Sequence, residues 1–151
     1  MSKTGVQLRG YNPEVDRNFI SHSWLLSFRD AGTRSGMIPA DVYFQEQQRK
    51  IADIIARDTC RILLLVDKTD PNVVAGWICY ESIDARQVLH YVYVSALHRK
   101  LGLSRRLLDA AGINLSEPLI CTHATYIANI LRKSKKINPV LLERLARSNN
   151  Q

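Results

Sequence analysis

Seven residues, Arg99-Lys100-Leu101-Gly102-Leu103-Ser104-Arg105, combine three cations with a glycine and a small hydroxyl side chain. They follow an aromatic and β-branched run, Tyr91-Val92-Tyr93-Val94, and lead into a leucine-rich stretch at helical spacing that reaches Leu108. A strand that enters a helix through such a loop can hold phosphate. The first turn of a helix leaves backbone N–H groups unpaired and carries about half a positive charge. A pyrophosphate placed there is stabilised by both. Gly102 lacks a Cβ, so the backbone can approach closely, and the small Ser104 keeps the helix entrance open. Arg99, Lys100 and Arg105 add charge around that entrance. The alternative is a plain connector with a solvated basic surface.

The charge distribution points the same way. Residues 1–97 carry eleven Lys/Arg and eleven Asp/Glu, which cancel. Residues 98–151 carry ten Lys/Arg and three acids, so the whole net charge of +7 lies there. The excess begins at the glycine loop. A local basic field favours an anionic partner such as a phosphorylated cofactor. No nucleic-acid-binding motif accompanies the basic residues, so charge alone speaks for a nucleic acid.

The elements that must position this loop can be read from periodicity and turn chemistry. Val6 to Tyr11 alternates as a first strand. Asn12-Pro13-Glu14 starts a helix with an Asn cap and Pro at the first helical position. That helix carries Ile20, Trp24, Leu25 and Phe28 as its apolar stripe and stops at Ala31-Gly32. Pro39 opens a second helix to about Arg57. Arg61 to Val66, Val73 to Ile83 and Val88 to Val94 are three strands with short connections, hence an antiparallel meander. A helix over about 103–111, a strand over 118–121 and a helix over about 125–133 follow. A strand reached through a crossover helix should lie parallel to its predecessor. The expected class is α/β (α+β), order β-α-α-β-β-β-α-β-α, a mixed sheet with helices on both faces. Residues 1–136 form one domain on this reading. Residues 137–151 form a tail, a short helix and then a frayed end.

The 151 residues suit a single domain. No apolar run approaches the ~20 residues of a membrane helix, and the first residues lack the apolar core of a secretory signal. A cytoplasmic location is therefore expected. Cys60, Cys79 and Cys121 are odd in number and widely spaced, which suggests neither a disulfide framework nor a metal site, but small buried hydrophobes. No His, Asp or Glu cluster has metal-ligand spacing.

The stretch Val94 to Ser104 resembles the acetyl-CoA motif of the GNAT superfamily of N-acetyltransferases. Arg99, Gly102 and the small Ser104 stand at the motif's spacing, while Ala96 replaces its usual Pro and Ser104 its usual Gly or Ala. The resemblance extends over roughly residues 6–134 through the order of elements. It implies acetyl-CoA as cofactor, held by Arg99 to Arg105 and by the backbone of Val92, Tyr93 and Val94, along which the pantetheine arm runs like an extra strand. Phe19 to Arg29 and Asn138-Pro139 also look like small acetyltransferase-like proteins carried by tailed bacteriophages, which would place the protein in a host cytoplasm or a virion.

The implied reaction, acyl transfer from a thioester to an amine, needs a base for the amine's proton. His90 and Glu81 are the base candidates. His90 alternates with Leu89 and Tyr91 and so should share a face with Val88 and Val92; its other reading is a satisfied structural histidine. Glu81 reads equally as a solvent-facing strand residue. In the family a Tyr on the helix after the fifth strand protonates the leaving thiolate, which implies Tyr126, otherwise a packing aromatic. His123 and His98 are further polar candidates at strand ends. Two functions follow: an N-acetyltransferase acting on an unidentified amine, or a catalytically silent module of the same fold docking on a protein through its C-terminal tail.

Overall fold

The computed structural model describes residues 5–31, 38–114, 116, 118–123 and 138–141. Strand β1 (Val6–Gly10) leads into helices α1 (Pro13–Ala31) and α2 (Ala40–Ile55). Strands β2 (Arg61–Asp67), β3 (Val74–Ile83) and β4 (Arg86–Val94) follow, then a 3-10 turn at Ala96–His98 and helix α3 (Leu103–Ala110). Strands β5 (Pro118–Cys121) and β6 (Asn138–Leu141) complete one six-stranded sheet in the order β1-β2-β3-β4-β5-β6. The meander is antiparallel from β1 to β4, and β5 runs parallel to β4, as the crossover rule requires. Among the described residues no helix is long and apolar enough to cross a membrane.

The junction of β1 and α1 is pinned by charge and capping together. Asn12 Oδ1 accepts the Glu14 N–H at 3.2 Å. The buried Asp16 carboxylate accepts the Asn12 N–H at 2.8 Å and both arms of Arg9, at 2.7 and 2.9 Å. A bidentate pair of this kind fixes direction as well as distance. It aims α1 across the sheet.

Each face of the sheet has its own core. On the α3 face, Leu103, Leu107 and Leu108 pack with Val6, Leu65, Ala75 and Ile78. On the α1/α2 face, Ile20, Trp24, Ile51 and Ile54 pack with Leu64, Trp77 and Tyr91. Two polar ends of this aromatic core are paired: Trp77 Nε1 donates to Ser23 Oγ at 2.9 Å, and Ser27 Oγ meets the Tyr91 hydroxyl at 2.9 Å; the buried Trp24 Nε1 has no partner among the described residues. Cys79 and Cys121 are buried as expected; Cys60 is half-buried, with its sulfur 3.5 Å from that of Cys79.

Two irregularities shape β4. Its pairing with β3 runs Cys79↔Tyr91 and then Tyr80↔Leu89, so His90 is the extra residue of a bulge. Simple alternation puts His90 on one face with Val88 and Val92; the bulge keeps it with Val88 and parts it from Val92. Leu89 and Val92 both pack toward α3, while Tyr91 packs on the opposite side. His90 turns to that opposite side with Glu81, whose cross-strand partner is Val88. At the other end of β3, Gly76 sits so close to β4 that a Cβ would meet the Tyr93 carbonyl oxygen at 2.6 Å.

The tail differs from its expected helix. Asn138–Leu141 is a strand parallel to β5, in register from Pro118↔Asn138 to Cys121↔Leu141. The edge of β5 supplies the backbone partners, and Pro139, which has no N–H to donate, is tolerated because β6 is the edge strand of the sheet. The helix expected over 125–133, with Tyr126, and the tail beyond Leu141 lie outside the described residues.

Gly76→Ala is expected to destabilise the protein by about 1–3 kcal/mol, because the methyl must push β4 backbone rather than a flexible side chain. Denaturant unfolding of the variant checks this; an unchanged midpoint would contradict the close approach.

Candidate active site

Strands β4 and β5 are hydrogen-bonded neighbours for only a short distance. Their pairs are Val88↔Ile120 and Leu89↔Cys121, and the Thr122 N–H then donates to the Leu89 carbonyl at 3.2 Å. Beyond Leu89, β4 continues to Val94 with no residue of β5 beside it. Among the described residues, the sheet opens there into a wedge. Ser95 N–H donates back to Ala75 on β3 at 2.9 Å, and the Tyr93 carbonyl lies against Gly76 of β3. Backbone polar groups alternate sides along a strand. Val92 and Val94 therefore turn their backbone groups into the wedge. Val94 O accepts Arg99 Nε there, at 3.4 Å. Of the three strand residues expected at a cofactor, Tyr93 has its backbone committed to β3.

The glycine loop closes the mouth of this wedge. Lys100 and Gly102 both take left-handed backbone, at φ +66° and +71°. Gly102 is the residue before α3, and no side chain caps that helix. The first-turn N–H groups are thus not consumed by a cap. Leu103 is buried in the core, so it offers the loop only its backbone; Leu101 packs against the same core. Ser104 is half-buried, and Arg99, Lys100 and Arg105 are exposed or nearly so. Arg105 makes a loose pair with Asp109 at 3.5 Å, both side chains more than half exposed, which leaves it available to a stronger anion. His98 is buried, and Ser95 Oγ bonds its Nδ1. It shapes the turn.

The base candidates meet on the α1/α2 side of the wedge. His90 Nε2 lies 2.6 Å from Glu81 Oε1, and both residues are 2% exposed. Glu81 is therefore an interior carboxylate and not a solvent-facing strand residue. Arg57 donates to it at 2.6 Å, and Thr59 Oγ1 donates to its other oxygen. Burial pushes the Glu81 carboxyl up, but the hydrogen bonds from His90, Thr59 and Arg57 and the charge of His90 outweigh it and hold it at about 2.

The structure adds residues that the sequence did not connect. His90 Nδ1 lies 2.8 Å from Thr122 Oγ1, which lies 3.0 Å from His123 Nδ1. His123 is boxed by the rings of Phe28, Trp24 and Tyr91, with centroids 4.8, 5.1 and 6.0 Å away. Its Nε2 is buried and has no hydrogen-bond partner among the described residues. Burial, then the charges of Lys50 and His90, push the His123 imidazole down to about 3. Spacing could not have found this set: positions 81, 90 and 122 are joined only by the bulge and by the β4–β5 register.

Comparison with known proteins bears on the whole arrangement. The model of the acetyltransferase (GNAT) family matches residues 22–111. No curated protein matches the chain. Among solved structures, PaiA N-acetyltransferase from Thermoplasma acidophilum, in complex with coenzyme A, is similar at TM-score 0.52 and 15% identity, over 71% of this chain and 69% of that one. A Pyrococcus furiosus protein assigned as an acetyl transferase is similar at TM-score 0.55 and 11% identity, over 91% and 81%. The chain spans only 12% of a fungal multi-domain β-N-acetylglucosaminidase that contains a glucosamine N-acetyltransferase region, matched at TM-score 0.49, 16% identity and 70% of this chain.

Acid should weaken the fold in two stages. The folded value of His123 lies below its ordinary 6.5, so the unfolded chain binds more protons between about 6.5 and 3, and stability falls as pH drops through that window. Glu81 also has a depressed folded value. Its contribution is complete above its ordinary 4.5 and is lost as pH falls toward 2. Denaturant unfolding at stepped pH is expected to show a slope already between 6.5 and 4.5, flattened in His123→Asn, and a steeper one below 4.5. A wild-type profile level down to 4.5 would contradict the buried neutral His123.

Proposed function

Because the chain belongs to the acetyltransferase (GNAT) family, whose members use acetyl-CoA, we propose that it transfers an acetyl group from acetyl-CoA to an amine on a protein or small molecule in the cytoplasm. The observation that carries this reading is the wedge between β4 and β5 with an uncapped helix N-terminus at its mouth. A diphosphate fits that mouth on three counts: Gly102 puts no side chain in the way, Arg99, Lys100 and Arg105 surround it, and the first-turn N–H groups from Leu103 to Arg105 are unclaimed by a side chain. The backbone of Val92 and Val94 offers hydrogen bonds to a pantetheine arm lying in the wedge. When bound, the cofactor supplies the acyl group as a thioester.

The chain's own part is to orient the acceptor and to take its proton. Amines are protonated at neutral pH, and only the free base attacks a carbonyl. Glu81 and His90 supply a proton-accepting pair beside the wedge, with Glu81 held as the carboxylate. A donor aimed at the acyl oxygen would come from backbone N–H on β4, where the bulge at His90 redirects the chain. Tyr126 is retained as the proton donor to the leaving sulfur on the strength of the family resemblance.

Calorimetry with coenzyme A tests the cofactor without any knowledge of the acceptor. Wild type is expected to bind. Asp and Asn both tolerate left-handed backbone better than most residues. Gly102→Asp should therefore weaken binding roughly ten- to a hundredfold more than Gly102→Asn, since only the former sets a negative charge against the phosphates. Equal losses in the two variants would show that charge at this position does not matter. Absence of binding by wild type would overturn the reading.

A further inference from the structure

Four buried side chains form an unbroken line of hydrogen bonds: Glu81 Oε1 to His90 Nε2 at 2.6 Å, His90 Nδ1 to Thr122 Oγ1 at 2.8 Å, and Thr122 Oγ1 to His123 Nδ1 at 3.0 Å. All four are at most 8% exposed. One end is anchored by Arg57 and Thr59. The other end, His123 Nε2, is a buried polar atom with no partner among the described residues. Buried polar atoms are nearly always paired, and an exception asks for a reason. Resting on the acyl-transfer reading, we propose that this line is a proton relay, and that His123 Nε2 takes the proton lost by the acceptor amine.

The proton positions follow from the anchored end. A carboxylate can only accept, so His90 Nε2 carries a hydrogen and donates it to Glu81. With His90 neutral, its Nδ1 is bare and accepts the Thr122 hydroxyl. The Thr122 oxygen then accepts from His123, so His123 Nδ1 carries the hydrogen. That leaves a bare lone pair on His123 Nε2. The line thus sets the tautomer in which the unpartnered atom is a base.

The same line can run once. An amine N–H bond breaks and an N–H bond forms at His123 Nε2. The hydrogen on His123 Nδ1 passes to Thr122 Oγ1, and the hydroxyl's original hydrogen passes to His90 Nδ1. His123 and Thr122 end neutral, with the histidine in its other tautomer. His90 ends as an imidazolium against the Glu81 carboxylate. The proton leaves by the reverse route, to the departing sulfur or to water, once the amide has formed.

This arrangement resolves a conflict at His123. Its surroundings oppose a positive charge: α1 presents the rings of Trp24 and Phe28, α2 presents Lys50, and β4 presents His90 and Tyr91. Burial pushes the Tyr91 phenol up to about 12, so it adds no compensating charge at neutral pH. A histidine in that box is a poor final holder of a proton. Relayed two residues inward, the charge sits beside a carboxylate. His123 lies two residues past the end of β5, next to the parting of the strands, with its Nε2 closed off from solvent by the described residues.

Nitrogen NMR of the histidine rings decides the matter in the free protein. At neutral pH, His123 is expected as the Nδ1–H tautomer and His90 as the Nε2–H tautomer. On acidification, His90 should become the imidazolium, and His123 should switch to Nε2–H in the same titration step. Thr122→Val should abolish the coincident switch, and Thr122→Ser should restore it. The relay is overturned by an Nε2–H tautomer of His123 at neutral pH. It is equally overturned if His123 protonates before His90, or keeps Nδ1–H while His90 protonates. With any amine found to be acetylated, Thr122→Val should lower kcat by about 10²-fold, with the KM for acetyl-CoA and the calorimetric affinity for coenzyme A unchanged; full activity in that variant would refute the relay's catalytic use. A wild-type protein that binds no coenzyme A would end the acyl-transfer reading, and with it this use of the relay, while the ring titration would still decide whether the relay exists.

Discussion

Everything at this site depends on how briefly β5 keeps company with β4. Two residue pairs and one further hydrogen bond hold the strands together, and then they part. Backbone N–H and C=O groups inside a protein must find partners. Among the described residues, the sheet gives Val92 and Val94 no strand partner on the β5 side, and only Arg99 Nε reaches Val94 O there. The wedge is therefore a consequence of register. The bulge at His90 belongs to the same constraint. By adding one residue to β4 opposite β3, it leaves Leu89 and Val92 on the α3 side while His90 and Tyr91 face α1 and α2.

The interior carboxylate is the second notable cost. Glu81 lies in a sheet whose neighbours are Cys79, Tyr91 and Ile62, an apolar setting for a charge. Three donors stabilise it, and still such a group is weak evidence for stability, because a well-packed apolar substitute often does as well. Its position argues for use. Glu81 is the fixed point that decides which nitrogen of His90 carries hydrogen, and through Thr122 the state of a ring that follows β5. Strength on one side, from Arg57 and Thr59, keeps the carboxylate from taking the proton itself.

The fold was largely legible because its signals are local. The Asn12-Pro13 start of α1, the meander from Arg61 to Val94 and the helix after Gly102 each follow from capping, periodicity or turn chemistry, and the parallel β5 follows from the handedness of crossovers. The loop at 99–105 was legible for the same reason: its residues are adjacent in the chain. The pairing of His90 with Glu81 was not, since each looked ordinary alone and only the β3–β4 register puts them 2.6 Å apart. The face of His90 was misjudged because a bulge leaves no clear mark in an alternating sequence. The strand at Asn138–Leu141 was misjudged because the run from Val140 has helical composition, whereas the edge of β5 is what settles it. Tertiary context overrides propensity where a sheet edge offers backbone partners.

The two halves of the site lie on opposite faces of one sheet, and their electrostatics divide accordingly. The α3 side carries the cations of the loop, exposed and able to change partners, as the loose Arg105–Asp109 pair shows. On the α1/α2 side the Glu81 carboxylate is tied to Arg57, Thr59 and His90, and the line of hydrogen bonds from it ends at a buried ring among aromatic side chains. The loop's cations favour a polyanion at that mouth of the wedge, while burial and the charges of Lys50 and His90 oppose a positive charge at His123 on the other side.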